Sequence, residues 1–434
     1  MGERRNVLVI LADQLQAFAL GCTGHPDIAT PNLDALAAQG THFTDAYVEY
    51  AVCTQYRGVL HTGRFGSQTG ITDFSQGPAP GTECLAHALA GLGKHTSYVG
   101  KWHLYEFFDG PVRPEHRCGF ERFIGNQSYN GYHEGTRFWD EDLVPIEFVG
   151  THRTTATADV AIDRLREIPA ADDFALFVSF LNPHYPLEPL AEFEELYRSI
   201  DVTLRPNVTA PERVFTPTYS PESPRPVEND PNFHRYGRSI EDFWRYYAAM
   251  VSHLDREVGR LLAELDALGR SDDTLVIFTS DHGEMGGSHG RMNKRVWHEE
   301  STRVPFIVRS PGASPSRIGT PVSAGIDVWP TVVDWMGGTP NDQLPGGSLV
   351  PMIESGTARP HHPAVAELAE DGGYVMVRDG HWKYVEAYGE TTPIALHHLG
   401  DDPYEQTSVV SDHPKVRERM SALAADWKAL VSPD

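Results

Sequence analysis

Cys53 and Arg57 lie four residues apart in the run Cys53-Thr54-Gln55-Tyr56-Arg57-Gly58-Val59-Leu60-His61-Thr62-Gly63-Arg64. A cysteine at a helix entrance has its thiolate favoured by the helix dipole. Amides at such an entrance can also hold a tetrahedral anion. Arg57 falls one helical turn further on and can turn back toward the residue-53 side chain. On this segment alone a small buried cysteine at a helix start explains the pattern equally well. Asp13 and Asp281 offer hard oxygen ligands to a cation, and the neighbouring His282 offers a nitrogen. Lone carboxylates after strands are more often caps or surface groups. Their weight here comes from convergence.

That convergence follows from the elements. Asn6 to Leu11 is a leucine-rich, β-branched run ending in Ala12-Asp13-Gln14, as expected for a buried strand. Thr96 to Val99 leads into Gly100-Lys101-Trp102-His103, Phe174 to Leu181 into Asn182-Pro183-His184, and Thr274 to Thr279 into Ser280-Asp281-His282. Helical spacing falls between these runs, over Thr54 to Leu60, Ala156 to Glu167 and Glu241 to Leu268. Strands alternating with helices predict an α/β fold with a mostly parallel central sheet flanked by helices. Ligands sit beyond the carboxyl ends of such strands, and four of these runs deliver Asp, His or Lys there. After Pro360 the texture changes to short antiparallel strands and a closing helix from Pro414. This predicts a catalytic domain over 1–360 and a smaller C-terminal α+β domain over 361–434. Residues Tyr129 to Trp139, Phe233 to Tyr247 and the Pro-rich loop Arg205 to Pro231 are expected to wall a substrate pocket.

Lys and Arg number 36 against 60 Asp and Glu in 434 residues, a formal net charge of −24. This field disfavours nucleic acid and long polyanions, and suits a small, singly charged ester. The first apolar run is too short to span a membrane and carries no signal-peptide cleavage pattern. Four cysteines in a chain this long make no disulfide framework. The expectation is a cytoplasmic protein without a membrane partner. The oligomeric state is open.

The segment from Cys53 to Arg64 resembles the sulfatase signature C-x-P-S-R followed by L-x-T-G-R. It keeps Cys53, Arg57 and the tail Leu60 to Arg64, and departs at Gln55, where the family has Pro, and at Tyr56, where Ser is usual. Further segments resemble the family in its own order: Leu8 to Gln14, Tyr98 to Leu104, Asn182-Pro183-His184, Tyr246 to Gly259, Thr279 to Glu284, His298 to Pro305 and Leu396 to Glu405. The resemblance covers nearly the whole chain. It implies the alkaline-phosphatase-like fold and hydrolysis of a small-molecule sulfate ester.

The resemblance also implies a formylglycine made from Cys53 by a formylglycine-generating enzyme. That enzyme reads the missing proline, so incomplete conversion is expected. One divalent metal ion is implied, held by Asp13, Gln14, residue 53, Asp281 and His282. Many sulfatases present three aspartates and an asparagine to calcium. The Asp-Gln and Asp-His pairs here shift preference from calcium toward manganese, magnesium or zinc. They also resemble the phosphonate monoester hydrolase and choline-sulfatase side of the family. By the same resemblance Lys101 and Lys294 hold the ester's free oxygens, His103 is the base that collapses the hemiacetal ester, and His184 is the acid for the leaving oxygen. Arg57 serves the nucleophile, and Arg64 braces its turn. Two rival readings stay open: a phosphonate monoester or phosphodiester hydrolase, and a variant acting with unmodified Cys53.

Overall fold

The strand Asn6–Asp13 is buried along its whole length. Val7, Val9 and Leu11 enter one hydrophobic core, and Leu8, Ile10 and Ala12 enter another on the opposite face. A strand covered on both faces has no polar side to show, so it reads as an unbroken apolar run. A computed structural model describes residues 6–106, 109–128, 131–133, 136–208, 239–358, 363–370 and 372–432.

Asn6–Asp13 pairs in parallel with Phe174–Pro183 on one side and Thr274–Ser280 on the other. His95–Lys101 continues the parallel sheet beside Phe174–Pro183, and Arg122–Asn126 follows it. Beyond them the short strands Arg137–Trp139 and Pro145–Glu147 add antiparallel edges. On the other flank Phe306–Arg309 runs antiparallel to Thr274–Ser280, followed by Thr41–Phe43 and Ser316–Ile318. The expected mostly parallel sheet is therefore present, with antiparallel strands at its margins.

Helices cover both faces. Arg153–Glu167 and Ile240–Ala267 pack on the Leu8 side. The helix Ile240–Ala267 is capped by Ser239, whose side chain accepts from the Asp242 amide, and it buries Leu254, Val258, Leu261 and Leu265. The helices Leu85–Gly91 and Val328–Trp335 pack on the Val7 side, together with Tyr56 and Leu60 of Cys53–Thr62.

The strands Ala364–Leu368, Tyr374–Asp379, Trp382–Ala387 and Pro393–His398 form an antiparallel meander. One face lies under Met420, Ala424 and Trp427 of the helix Pro414–Val431. The other packs on Tyr47, Tyr50 and Val52, immediately before Cys53. The small sheet thus buttresses the segment that delivers the cysteine. Among the described residues no helix is long and apolar enough to cross a membrane. All four cysteines are free thiols.

Candidate active site

Strand register brings the polar residues together. Ala12 is level with Ser280 and Asp13 with Pro183. Asp13, Asp281 and the Asn182-Pro183-His184 corner therefore leave the sheet at one height. Gly100 is level with Ser179. It has a φ of +107°, and a Cβ there would meet the Ser179 carbonyl at 2.1 Å. Only glycine allows this approach, and Lys101 follows directly.

Cys53 opens the helix Cys53–Thr62, every residue of which is buried. Its Sγ lies 3.1 Å from His282 Nε2, 3.4 Å from Lys294 Nζ and 3.7 Å from Asp13 Oδ1. The two departures from the signature are accommodated. Gln55 Nε2 donates to the Thr72 carbonyl at 2.8 Å, and the Tyr56 hydroxyl donates to the Ala324 carbonyl at 2.9 Å.

Arg57 is fully buried but does not spend its donors on residue 53. One terminal nitrogen reaches the Lys101 carbonyl at 2.7 Å and Ser179 Oγ at 2.8 Å. The other reaches Asp13 Oδ2 at 3.2 Å and Asp281 Oδ2 at 3.0 Å. The guanidinium thus ties the ends of four strands into one cluster. Lys101 Nζ adds a 2.6 Å contact to Asp13 Oδ2.

Gln14 and His103 both adopt left-handed backbones, with φ of 66° and 57°, which side-chain-bearing residues seldom do. The Gln14 amide donates to Asp281 Oδ1 at 3.1 Å, and its carbonyl accepts from the Tyr247 hydroxyl at 2.7 Å. The His103 amide donates to the Gln127 carbonyl at 3.0 Å. Gln14 Oε1 accepts from Lys294 Nζ at 2.8 Å. His103 stacks on Phe74, and His184 on Tyr185. Arg64 lies half-buried just past Gly63, which closes the helix by donating to the Val59 carbonyl at 2.8 Å.

Charge and burial set the protonation states. Burial pushes the Asp281 carboxyl up to about 6, and neighbouring Asp13 adds to it. Burial acts the same way on Asp13, but Lys101, with smaller help from His184 and Arg57, holds that carboxyl well below its ordinary range. Burial, reinforced by Lys294, lowers His282 to about 4. Burial followed by Lys101 lowers His103 well below its usual value, and burial followed by Lys294 does so for His184.

A divalent cation fits this donor set. Ligand atoms of Asp13, Cys53, Asp281 and His282 all lie within 4.8 Å of one another, and all four residues are buried. His282 Nδ1 sits 2.9 Å from the Gly283 carbonyl, which leaves Nε2 facing the cluster as a ligand-type lone pair. A cation there would offset both the burial of the Asp281 carboxylate and its repulsion by Asp13. His289, Glu300 and Glu405 form a second compact group. There Arg205 lies 2.8 Å from Glu300 and Lys383 lies 2.9 Å from Glu405, so both carboxylates already have cationic partners.

Ser179, Tyr98, Glu284, Asn293 and Tyr185 also belong to the site, without a role that the sequence alone reveals. Ser179 had a signal: it is the one hydroxyl in the apolar run Phe174 to Leu181. Glu284 closes the run Thr279 to Glu284, yet nothing local in the sequence shows that its carboxylate meets Gln14. Of the expected pocket wall, residues 129–130, 134–135 and 209–238 lie outside the described residues. Phe243 and Tyr247 do line a recess beside Gln14, with Tyr185, Leu187 and Met292.

A family profile described as Sulfatase matches residues 5–338. The chain belongs to the sulfatase family. A second profile, described as N-sulphoglucosamine sulphohydrolase, C-terminal, matches residues 287–430. An ulvan-active sulfatase of Formosa agariphila is 32% identical over 349 residues, covering 79% of this chain, and the chain spans 63% of that relative's length. A choline-sulfatase of Rhizobium meliloti is 30% identical over 97% of this chain and 85% of its own. The phosphonate monoester hydrolase of Agrobacterium radiobacter shares the fold, with a TM-score of 0.80 at 24% identity over 99% of this chain and 96% of its own. Family membership makes the chain a sulfuric ester hydrolase, and the sulfatase fold accounts for both the main sheet and the C-terminal one.

Proposed function

We propose that this sulfatase-family hydrolase cleaves sulfate monoesters of small organic molecules, with one divalent metal ion and a formylglycine made from Cys53. The observation that carries the reading is the buried Cys53 Sγ, 3.1 Å from His282, 3.4 Å from Lys294 and 3.7 Å from Asp13. A nucleophile formed at residue 53 starts beside a cation site and beside a cation on its other flank.

When formed, the hydrated aldehyde at residue 53 supplies one hydroxyl to attack sulfur and a second whose deprotonation expels sulfate. A metal held by Asp13, Gln14, residue 53, Asp281 and His282 would supply positive charge to the reaction. Lys101 and Lys294 stabilise the non-bridging oxygens as charge builds on them. His184 protonates the leaving oxygen, and His103 takes the proton from the second hydroxyl. The lysines that depress both rings are the groups that hold the ester, so an arriving anion offsets them and raises His184 toward a useful acid.

The net charge of −24 favours an uncharged leaving group over an extended polyanion. The four free thiols support a cytoplasmic location. The test has two parts. Intact mass of the peptide around residue 53, from protein made beside a formylglycine-generating enzyme, is expected to show partial conversion that rises in Gln55→Pro. High activity in protein that is wholly thiol would instead make unmodified Cys53 the nucleophile. Then kcat/KM is compared for matched aryl sulfate, phosphonate monoester, phosphodiester and a sulfated oligosaccharide. The aryl sulfate should lead, and preference for a phosphorus ester would move the assignment to that chemistry.

A further inference from the structure

Gln14 stands where its amide could face the site in either sense. With Oε1 inward it accepts from Lys294 Nζ at 2.8 Å, the nitrogen that also lies 3.4 Å from Cys53 Sγ. With Nε2 inward it would set two N–H donors against an ammonium and a cation site, which is repulsive. Lys294 favours the first on the inner side. On the far side the buried carboxylate of Glu284 holds the same orientation.

Glu284 accepts three hydrogen bonds. One oxygen accepts from the Gly286 amide at 2.9 Å and the Asn293 amide at 2.6 Å. The other accepts from Gln14 Nε2 in a short contact. Asn293 Oδ1, at 3.3 Å, is a second acceptor for the same nitrogen. With a carboxylate on one side and an ammonium on the other, the amide presents Nε2 to Glu284 and Oε1 to Lys294. The same carboxylate holds the backbone of Asn293, the residue before Lys294, and so fixes both partners of the Gln14–Lys294 contact.

We propose that Glu284 is a positioning residue that sets the orientation of the Gln14 amide and the reach of Lys294, and through them the affinity of the Asp13, Asp281 and His282 cluster for its cation. This rests on the functional reading above for the cation and the ester. It adds a residue that touches neither.

A reciprocal swap tests it. In Glu284→Gln the partner becomes an amide, and residue 14 is free to turn. In Gln14→Glu two carboxylates face each other. The double variant Gln14→Glu with Glu284→Gln restores one donor facing one acceptor, keeps the total charge, and again turns an oxygen toward Lys294. Three quantities are measured on the full chain: Mn2+ affinity of metal-free protein by competition with a chromophoric chelator, kcat/KM for an aryl sulfate, and the thermal midpoint without metal. Loss of an outer-shell partner commonly costs about 10- to 100-fold in metal affinity or activity, and each single variant is expected to lose that much. The swap should recover to within about tenfold of wild type, with a midpoint above that of either single variant. A single variant that does not fold beside a swap that folds and binds Mn2+ is the same rescue in stronger form. A swap as defective as the sum of its singles, or one that does not fold, overturns the proposal. Wild-type protein that binds no Mn2+ and cleaves no sulfate ester overturns the functional reading instead. The metal-free midpoints then still report on the Gln14–Glu284 pair.

Discussion

Replacing Arg57 by Met removes the charge and keeps most of the volume of a fully buried side chain. The terminal nitrogen that is lost sits 3.2 Å from Asp13 Oδ2 and 3.0 Å from Asp281 Oδ2. At an effective dielectric near 20, each such pair is worth roughly 5 kcal/mol of gross attraction. Returning the guanidinium to water in the unfolded state takes much of that back. Breaking a buried pair by removing one partner costs about 3–5 kcal/mol net, and here two carboxylates are left facing each other. Metal-free Arg57→Met is therefore expected to lose about 3–5 kcal/mol of unfolding free energy at pH 7.5. Arg57→Lys keeps the charge but cannot fork between Lys101 and Ser179 on one side and two carboxylates on the other. It should lose less, on the order of one hydrogen bond to a charged group, about 1.5–3 kcal/mol. Urea unfolding with matched slopes measures both. Arg57→Met within about 1 kcal/mol of wild type would refute the reasoning, since it would mean the carboxylates are neutralised without the arginine.

Asp281→Ala protein should lose its bound metal by elemental analysis, and full occupancy would remove Asp281 from the ligand set. Lys294→Ala should lower kcat on a small sulfate ester about a hundredfold with the fold intact by circular dichroism, and an effect below tenfold would place Lys294 outside the charge-stabilising set. Glu49 gives a pH test away from the site. Burial, against backbone amides of Ile326 and Gly325, raises its carboxyl to about 8. The folded state therefore keeps a proton that the unfolded chain releases above about 4.3, and this group's contribution to stability falls as pH rises from about 5 to 8. Glu49→Gln should gain thermal midpoint relative to wild type across that window, whereas parallel curves would show Glu49 ionised in the fold.

Residue order alone determined the strands and the chemistry they carry. Val7 to Leu11, Phe174 to Val178 and Leu275 to Phe278 are apolar because both of their faces are covered, and that is a property of composition. Each ends in Asp, His or both because strand ends are where a parallel sheet admits polar groups. Cys53, Lys101, His103, His184 and Lys294 were legible as candidates from type and motif, and the structure brings them into one buried cluster. What the sequence could not determine is who touches whom across it. Arg57 looked bound for residue 53, one turn away along its helix. In the fold it serves Asp13, Asp281, Ser179 and the Lys101 carbonyl instead. Glu284 and Gln14 are 270 residues apart, and no local pattern pairs them. Periodicity reports which face of an element is buried. Register between strands distant in the chain is fixed only when they pair, and at this site register decides which carboxylate meets which donor.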